Sequence, residues 1–435
     1  MKFVVSFLLY VFIQSVALGQ QWSRVDSGTN DLVSCLAVYN GELYAGGYFS
    51  IAGGDTVNSI AKWDGNSWTT LDGGMGPSGG IVFALAEYNG DLYAGGSFIL
   101  AGGNSVGNVA KWDGSSWSAV GTGMNAQVFT LAVYDNDLYA GGNFVVANGN
   151  SASKIAKWNG SVWTSVGTGM NPNPDNVLGL AVHNGDLYAC GGFEYAGSLH
   201  VNRIARWDGL VWSDVGGGAD NVVQALIGFN GDLYAGGVFS SVGGIVSPYI
   251  AKWNGSIWSK VGFGLNGRVR TLAVYHNELY AGGDFTSADG NPVNYIAKWN
   301  GVSWSSVGLG VDSMVQALTV SNQELFVGGF FLNAGGVPAN HIAKWENVVG
   351  VETVSRFNDV KLYPIPAIKI LRISNPRIIP LELQLFNDIG ELVTSSNTLT
   401  NRFESIDISF LTPGVYFVKL ISSDRFEYKK IVVAN

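Results

Sequence analysis

Fourteen tryptophans are spread through this chain, and they sort into two registers of seven. One register is Trp63, Trp112, Trp158, Trp207, Trp253, Trp299 and Trp345, with steps of 49, 46, 49, 46, 46 and 46 residues. The other is Trp22, Trp68, Trp117, Trp163, Trp212, Trp258 and Trp304. A repeat of this length is one four-stranded blade of a β-propeller, and a single blade cannot bury its apolar faces without neighbours. The pattern predicts an all-β protein: a seven-bladed β-propeller, with other structure after Trp345.

Each repeat reads as four strands, a to d. In the second repeat these are the VFALAEY, DLYAGGSF, NVAKW and SWSAV runs. Asn40-Gly41, Asn89-Gly90, Asn184-Gly185 and Asn230-Gly231 are expected to join a to b. They suit a two-residue type I′ turn, whose central positions both need positive φ. Asp64-Gly65, Asn159-Gly160 and their equivalents are expected to join c to d in the same way. The Gly-Gly pair of strand b, such as Gly46-Gly47, runs against strand propensity. The expected reason is that it lets a neighbouring blade or an aromatic ring approach the backbone closely, the natural occupants being the tryptophans, each of which buries about 150–250 Å². Cys35 stands where other repeats have Ala84, Thr130, Ala225 and Thr271, and Cys190 reads as an insertion in strand b. On distant blades the two are too far apart for a disulfide and are expected to be free thiols.

The last repeat ends at Trp345-Glu346-Asn347 with no strand d, and the missing copy lies at the front, in residues 21–28. That segment is expected to pair with the last strand c and close the ring, leaving no open sheet edge. Ahead of it, Lys2, the apolar run from Phe3 to Phe12 and Ala17-Leu18-Gly19 have the layout of a secretory signal peptide. No apolar run reaches the ~20 residues of a membrane span, so none is expected.

The LYAGG strand and the later tryptophans resemble kelch-type secreted propellers. The close spacing of Trp63 and Trp68 departs from kelch, and LYAGGxF…IAKWDGxxW is more similar to propellers of bacterial surface proteins. This likeness runs from Trp22 to Trp345 and implies a fold rather than an activity. Beyond it, alternating runs such as Ile370-Leu371-Arg372-Ile373 and Leu383-Gln384-Leu385-Phe386 indicate a small antiparallel β-sandwich. With Tyr363-Pro364-Ile365-Pro366, PGVYFVKL and KKIVV, this segment resembles the C-terminal sorting domain of the type IX secretion system of Bacteroidetes. The family motif is close to Tyr-Pro-Asn-Pro, and Ile365 takes the asparagine position. The resemblance implies the secretion machinery as a partner and a secreted or outer-cell-surface location. The expected domains are a signal peptide at 1–19, the propeller at 20–347, a linker at 348–360 and the sorting sandwich at 361–435.

Charge narrows the possible partners. From Glu346 onward ten acidic residues balance ten basic ones, so the net charge of −9 belongs to the propeller part. An acidic surface without a basic stripe argues against nucleic acid. His183, His200, His276 and His341 share no metal-ligand spacing, so no metal and no cofactor are expected. Gly262-Phe263-Gly264-Leu265-Asn266-Gly267 matches GxGxxG, but no helix follows to carry a phosphate.

Breaks in the sevenfold pattern say more. Flanking a shared valine at the start of strand a are Arg268/Arg270, Val222/Gln224 and Met314/Gln316, where other repeats mostly carry Leu, Ile or Phe, as in Ile81/Phe83. Residues on either side of one position share a strand face, and strand a is innermost. Arg268, Arg270, Gln224 and Gln316 are therefore candidate binding residues at the mouth of the central funnel, the alternative being solvated or inter-blade hydrogen-bonding positions. The b–c loops, such as 51–58 and 194–202, open on the same face. Seven copies of the same residues argue for a scaffold that binds a glycan or a protein, with no catalytic residues and no chemistry of its own. The alternative is a carbohydrate-active hydrolase, lyase or oxidase working from the funnel. A calcium-stabilised adhesin would rest on the loop aspartates Asp175, Asp289 and Asp312.

Overall fold

A computed structural model describes residues 20–434, apart from 77–78, 172–175, 348–359, 377, 379, 388–390, 397 and 423–424. The expected signal peptide, all of the expected linker except Val360, and Asp175 lie outside the described residues. The chain divides into two compact units, one up to Asn347 and one from Val348.

The first unit contains seven four-stranded antiparallel sheets. In blade 1 strand a is Val33–Tyr39, b is Glu42–Gly47, c is Ile60–Trp63 and d is Trp68–Thr70. A two-residue-per-strand hairpin, here Ile51–Ala52 with Asp55–Thr56, sits between b and c in every blade. Blade 7 is assembled from both ends of the unit. Its inner strands are Val315–Ser321, Glu324–Gly329 and Ile342–Asn347, and its outer strand is Gln20–Arg24, with Trp22 opposite Trp345. The Trp22 and Trp345 rings are 5.3 Å apart. Trp22 Nε1 donates to the Val307 carbonyl of blade 6 at 2.9 Å. The strand d tryptophans of the other blades hook onto the preceding blade in the same way, as Trp117 does onto Leu71 at 2.9 Å.

The a–b turns are type I′: Asn40 and Gly41 have φ of 50° and 79°. His276-Asn277 and Asn322-Gln323 hold the same conformation without glycine. The c–d turns differ from expectation. Trp63 pairs with Trp68, so four residues intervene. Glycine takes the first central position, with φ of 100° at Gly65, while Asp64 Oδ1 accepts from the Asn66 and Ser67 amides at 2.8 Å each. The aspartate is a side-chain cap on the turn rather than one of its central residues.

Packing shows that the neighbouring blade, not a tryptophan, approaches the Gly-Gly pair. A Cβ on Gly46 would lie 2.6 Å from Val82 Cγ1 of the next blade and 2.7 Å from Cys35 Sγ. A Cβ on Gly47 would collide with the Leu32 carbonyl. The space is filled by a valine and a backbone bend, and the tryptophans pack further out. Val33, Val82, Val128, Val177, Val223, Val269 and Val315 are all fully buried at this level. Each contributes about 1.5–3 kcal/mol by burial. Cys190 is a substitution of the first glycine, not an insertion, and faces Gly179, which stands where blade 1 has Cys35. Blade 4 has exchanged the large and small members of the pair. The core is accordingly a ring of inter-blade clusters, such as Tyr44 and Ile60 of blade 1 with Val82, Phe98, Trp112 and Trp117 of blade 2.

In the second unit a three-stranded sheet of Lys361–Tyr363, Ile370–Ser374 and Phe403–Asp407 accompanies a four-stranded sheet of Leu392–Ser395, Glu382–Phe386, Gly414–Ser422 and Arg425–Val433. Leu371 and Ile373 of one sheet share a buried core with Leu383, Leu385, Val418 and Leu420 of the other. This is the expected small antiparallel sandwich.

Candidate functional site

Every strand a begins with a bulge. In blade 1 Val33 faces Gly47 and Cys35 faces Gly46, so Ser34 has no cross-strand partner. The skipped residues in the other blades are Phe83, Phe129, Leu178, Gln224, Arg270 and Gln316. A bulge re-aims the side chain it frees. Here it turns all of these toward the propeller axis, where they line a funnel of about 390 Å³ together with Leu32, Tyr48 and Met314. Of the four candidate residues, Gln224, Arg270 and Gln316 line this funnel. Arg268 does not, although Leu32 and Met314, at the equivalent position in blades 1 and 7, do.

The funnel has two unlike halves. Arg270 makes a bidentate pair with Asp284, at 2.8 Å from Nε to Oδ1 and 3.1 Å from Nη2 to Oδ2. Its Nη1 donates to Gln316 Oε1 at 3.0 Å, linking blade 6 to blade 7. Both positions therefore bond between blades and face the funnel. Such charge-assisted, two-point pairing fixes a guanidinium in one orientation. Arg268 stays near the same carboxylate, with Nε 3.7 Å from Asp284 Oδ2. Gln224 Oε1 is buried and has no partner among the described residues. The other half is apolar: Phe83 lies 5.3 Å from Phe129, and Tyr48 approaches Phe83 edge-on at 6.1 Å. Tyr48 and Asp284 were not found from the sequence. They follow the Gly-Gly pair at the end of strand b in blades 1 and 6; Tyr48 lines the funnel and Asp284 holds Arg270 beside it.

The remaining polar groups have structural roles. His183 is buried edge-on against Tyr188. Burial holds the His341 pKa below the ordinary histidine value, although Asp31 and Asp312 pull the other way. Burial also pushes both thiols, Cys35 and Cys190, far up. Asp289 Oδ1 accepts from the Phe263 amide at 2.6 Å, and Asp312 Oδ1 from the Leu332 and Asn333 amides at 2.8 and 3.0 Å. These two aspartates, offered above as calcium ligands, hold loops to hairpins. Among the described residues no group of three or more acidic, histidine or cysteine side chains could hold a metal ion.

Comparison with known proteins identifies the tail. Residues 361–434 match the secretion system C-terminal sorting domain family. That match, over the sandwich just described, marks a type IX sorting domain, and the protein is delivered to the cell surface or the medium. Among the described residues no helix is long and apolar enough to cross a membrane. No curated protein matches the chain. Among solved structures, the extracellular domain of a hybrid two-component system from B. thetaiotaomicron is 10% identical with a TM-score of 0.49, over 94% of this chain. The chain spans 56% of that protein's length. An α-L-arabinofuranosidase from Clostridium thermocellum is 11% identical, with a TM-score of 0.27 and coverage of 85% and 94% of the two chains. GH43B of the Bacteroides ovatus xyloglucan PUL is 12% identical, with a TM-score of 0.28 and coverage of 95% and 92%. The expectation that this propeller has no chemistry of its own is withdrawn, because its structural matches include glycosidase propellers.

Proposed function

We propose that the propeller is an exported binding module whose ligand seats in the axial funnel, at the end where strands a begin. The ligand class that suits it is a saccharide. A sugar ring has an apolar face, which Phe83 and Phe129 would cover, and a hydroxyl edge, which Gln224, Gln316 and the fixed Arg270 would meet. Pockets that orient a ligand typically combine an apolar lining with a few placed polar groups. In this reading Met1–Gly19 starts export, the kelch-like repeat at 20–347 carries the site, and residues 348–360 connect it to the sorting domain.

One observation carries the reading: the bulge aims seven side chains at one point, and these divide into an apolar and a polar half. Glycan-array screening of the purified propeller, followed by titration of the best ligand, tests it. Replacing Phe129 with alanine, or Gln224 and Gln316 together, is expected to weaken binding about tenfold or more, the equivalent of losing one or two good contacts. Unchanged affinity after alanine at Arg268, Arg270, Gln224 and Gln316 together removes the funnel as the site. Assaying the same incubations for released reducing ends reads out turnover directly.

A further inference from the structure

Blade 2 lacks a bond that the other blades make. In blade 1 Asn30 Oδ1 accepts from the Ser50 and Ile51 amides at 2.9 Å each, while the Asn30 amide donates to the Ile51 carbonyl at 3.1 Å. Asn125, Asn171, Asn266 and Asp312 latch their b–c hairpins with the same three bonds. In blade 5 Asp220 takes the Ser240 amide and the Ser240 and Ser241 hydroxyls, and returns its own amide to the Ser241 carbonyl. In blade 2 the position is Gly76, which has no side chain to offer. The Ile99 amide, the Leu100 amide and the Leu100 carbonyl there have no hydrogen-bond partner among the described residues. The longer loop in blade 2 is not the cause, since blade 4 has an equally long one and keeps its latch through Asn171.

A pocket of about 270 Å³ lies at this place, lined by Met75, Gly76, Phe98, Ile99 and Leu100 among others. Among the described residues it shares none of its lining with the funnel. Met75 and Phe98 are almost fully buried beneath it, while Ile99 is 72% exposed at its edge. Two donors and one acceptor side by side, above an apolar floor, match one residue of an extended peptide: its carbonyl accepts, its amide donates and its side chain fills the pocket. This is strand addition to an exposed edge, in which backbone bonds supply affinity and a side-chain pocket supplies selectivity. In the sister blades one Asn or Asp supplies the same oxygen and the same N–H from within the chain. We propose that the unlatched hairpin of blade 2 is a second binding site, for an extended peptide segment bearing an apolar side chain. The apolar floor favours a peptide over the acetamido group of a sugar, the other common source of a secondary amide.

Amide hydrogen exchange on the full-length protein tests this without mutation. Ile99 and Leu100 are expected to exchange faster than Val145 and Val146 of the latched blade 3. The probe N-acetyl-Ala-Leu-Ala-amide is expected to slow both about tenfold at saturation, as new hydrogen bonds to these groups would. Protection of Ile99 and Leu100 in the free protein overturns the proposal, as does a probe that leaves them unchanged. Equal slowing by N-acetylglucosamine overturns the assignment to peptide. The substitution Gly76→Asn, at a φ of 79° that asparagine tolerates, puts a side chain against Leu100; it is expected to abolish the effect of the probe, and full retention of that effect places the peptide elsewhere.

Discussion

The two ends of strand a obey different rules. At the end that turns into strand b, neighbouring blades meet through copies of the same contacts. Tyr39, Tyr88 and Tyr275 each donate from the phenol to a turn carbonyl of the following blade, at 2.9, 3.0 and 2.9 Å. Beside them a strand c cation pairs with the acid that opens strand b, as Lys252 does with Asp232 at 2.6 Å and Lys298 with Glu278 at 2.8 Å. Each phenol must fit a neighbour built to the same plan, so a change in one copy disturbs two blades, while the ion pairs repeat within each blade. At the bulged end the side chains face open space across the axis, and the contacts between blades there, such as Arg270 with Gln316, are not repeated round the ring. Nothing there requires Phe129 and Arg270 to be alike. Repetition marks what holds the ring together, and it is lost where side chains face the axis.

The sharpest way to break that contrast is to open the ring. Deleting residues 20–28 removes Trp22 and leaves the edge of Ile342–Asn347 bare. A fall in melting temperature of about 10 °C or more is expected, since several kcal/mol are at stake. An unchanged melting curve would mean that closure contributes nothing. A smaller effect is expected from Gly282→Cys, which puts a side chain against Val315 and Thr271. It should cost about 1–3 kcal/mol in denaturant unfolding, the usual range for overpacking. Adding Thr271→Gly should recover part of that loss, because blade 4 carries this combination as Gly179 and Cys190. A double variant no better than the single one would refute the exchange. Least in size is the response to acid at His341. Its pKa is lowered by burial, so below about 6.5 the unfolded chain takes up the proton first and stability falls with pH. His341→Asn removes that titration and tolerates the φ of 71° there. Its melting temperature should decline less between pH 7 and pH 5 than that of the parent, and parallel curves would exclude His341 as a contributor.

Much of the fold was legible because tryptophan spacing reports the blade period directly, and because the surplus Trp22 had to belong to a unit that lacked its outer strand. The finer errors have physical origins. Asp-Gly can occupy the centre of a turn or place aspartate just before it, and the sequence does not distinguish these. The partner of the Gly-Gly pair is a valine from the next repeat, more than thirty positions on, which no local pattern reveals. Gln224, Arg270 and Gln316 were found because each breaks the repeat. Arg268 was included because it precedes the shared valine, as Leu32 and Met314 do; those two line the funnel and Arg268 does not. Tyr48 and Asp284 were missed because that position varies in every repeat, so nothing marked them out.

The closing strands are antiparallel, with Gln20 opposite Asn347 and Arg24 opposite Ala343. The chain therefore enters and leaves the last blade side by side, at the same corner. Tension between these two ends would load the backbone bonds one at a time, as a zipper is loaded, starting from the outermost pair. Trp22, two residues in, is the first tooth with a buried ring behind it, and the force needed to undo the wheel is set there rather than by the sum of its spokes.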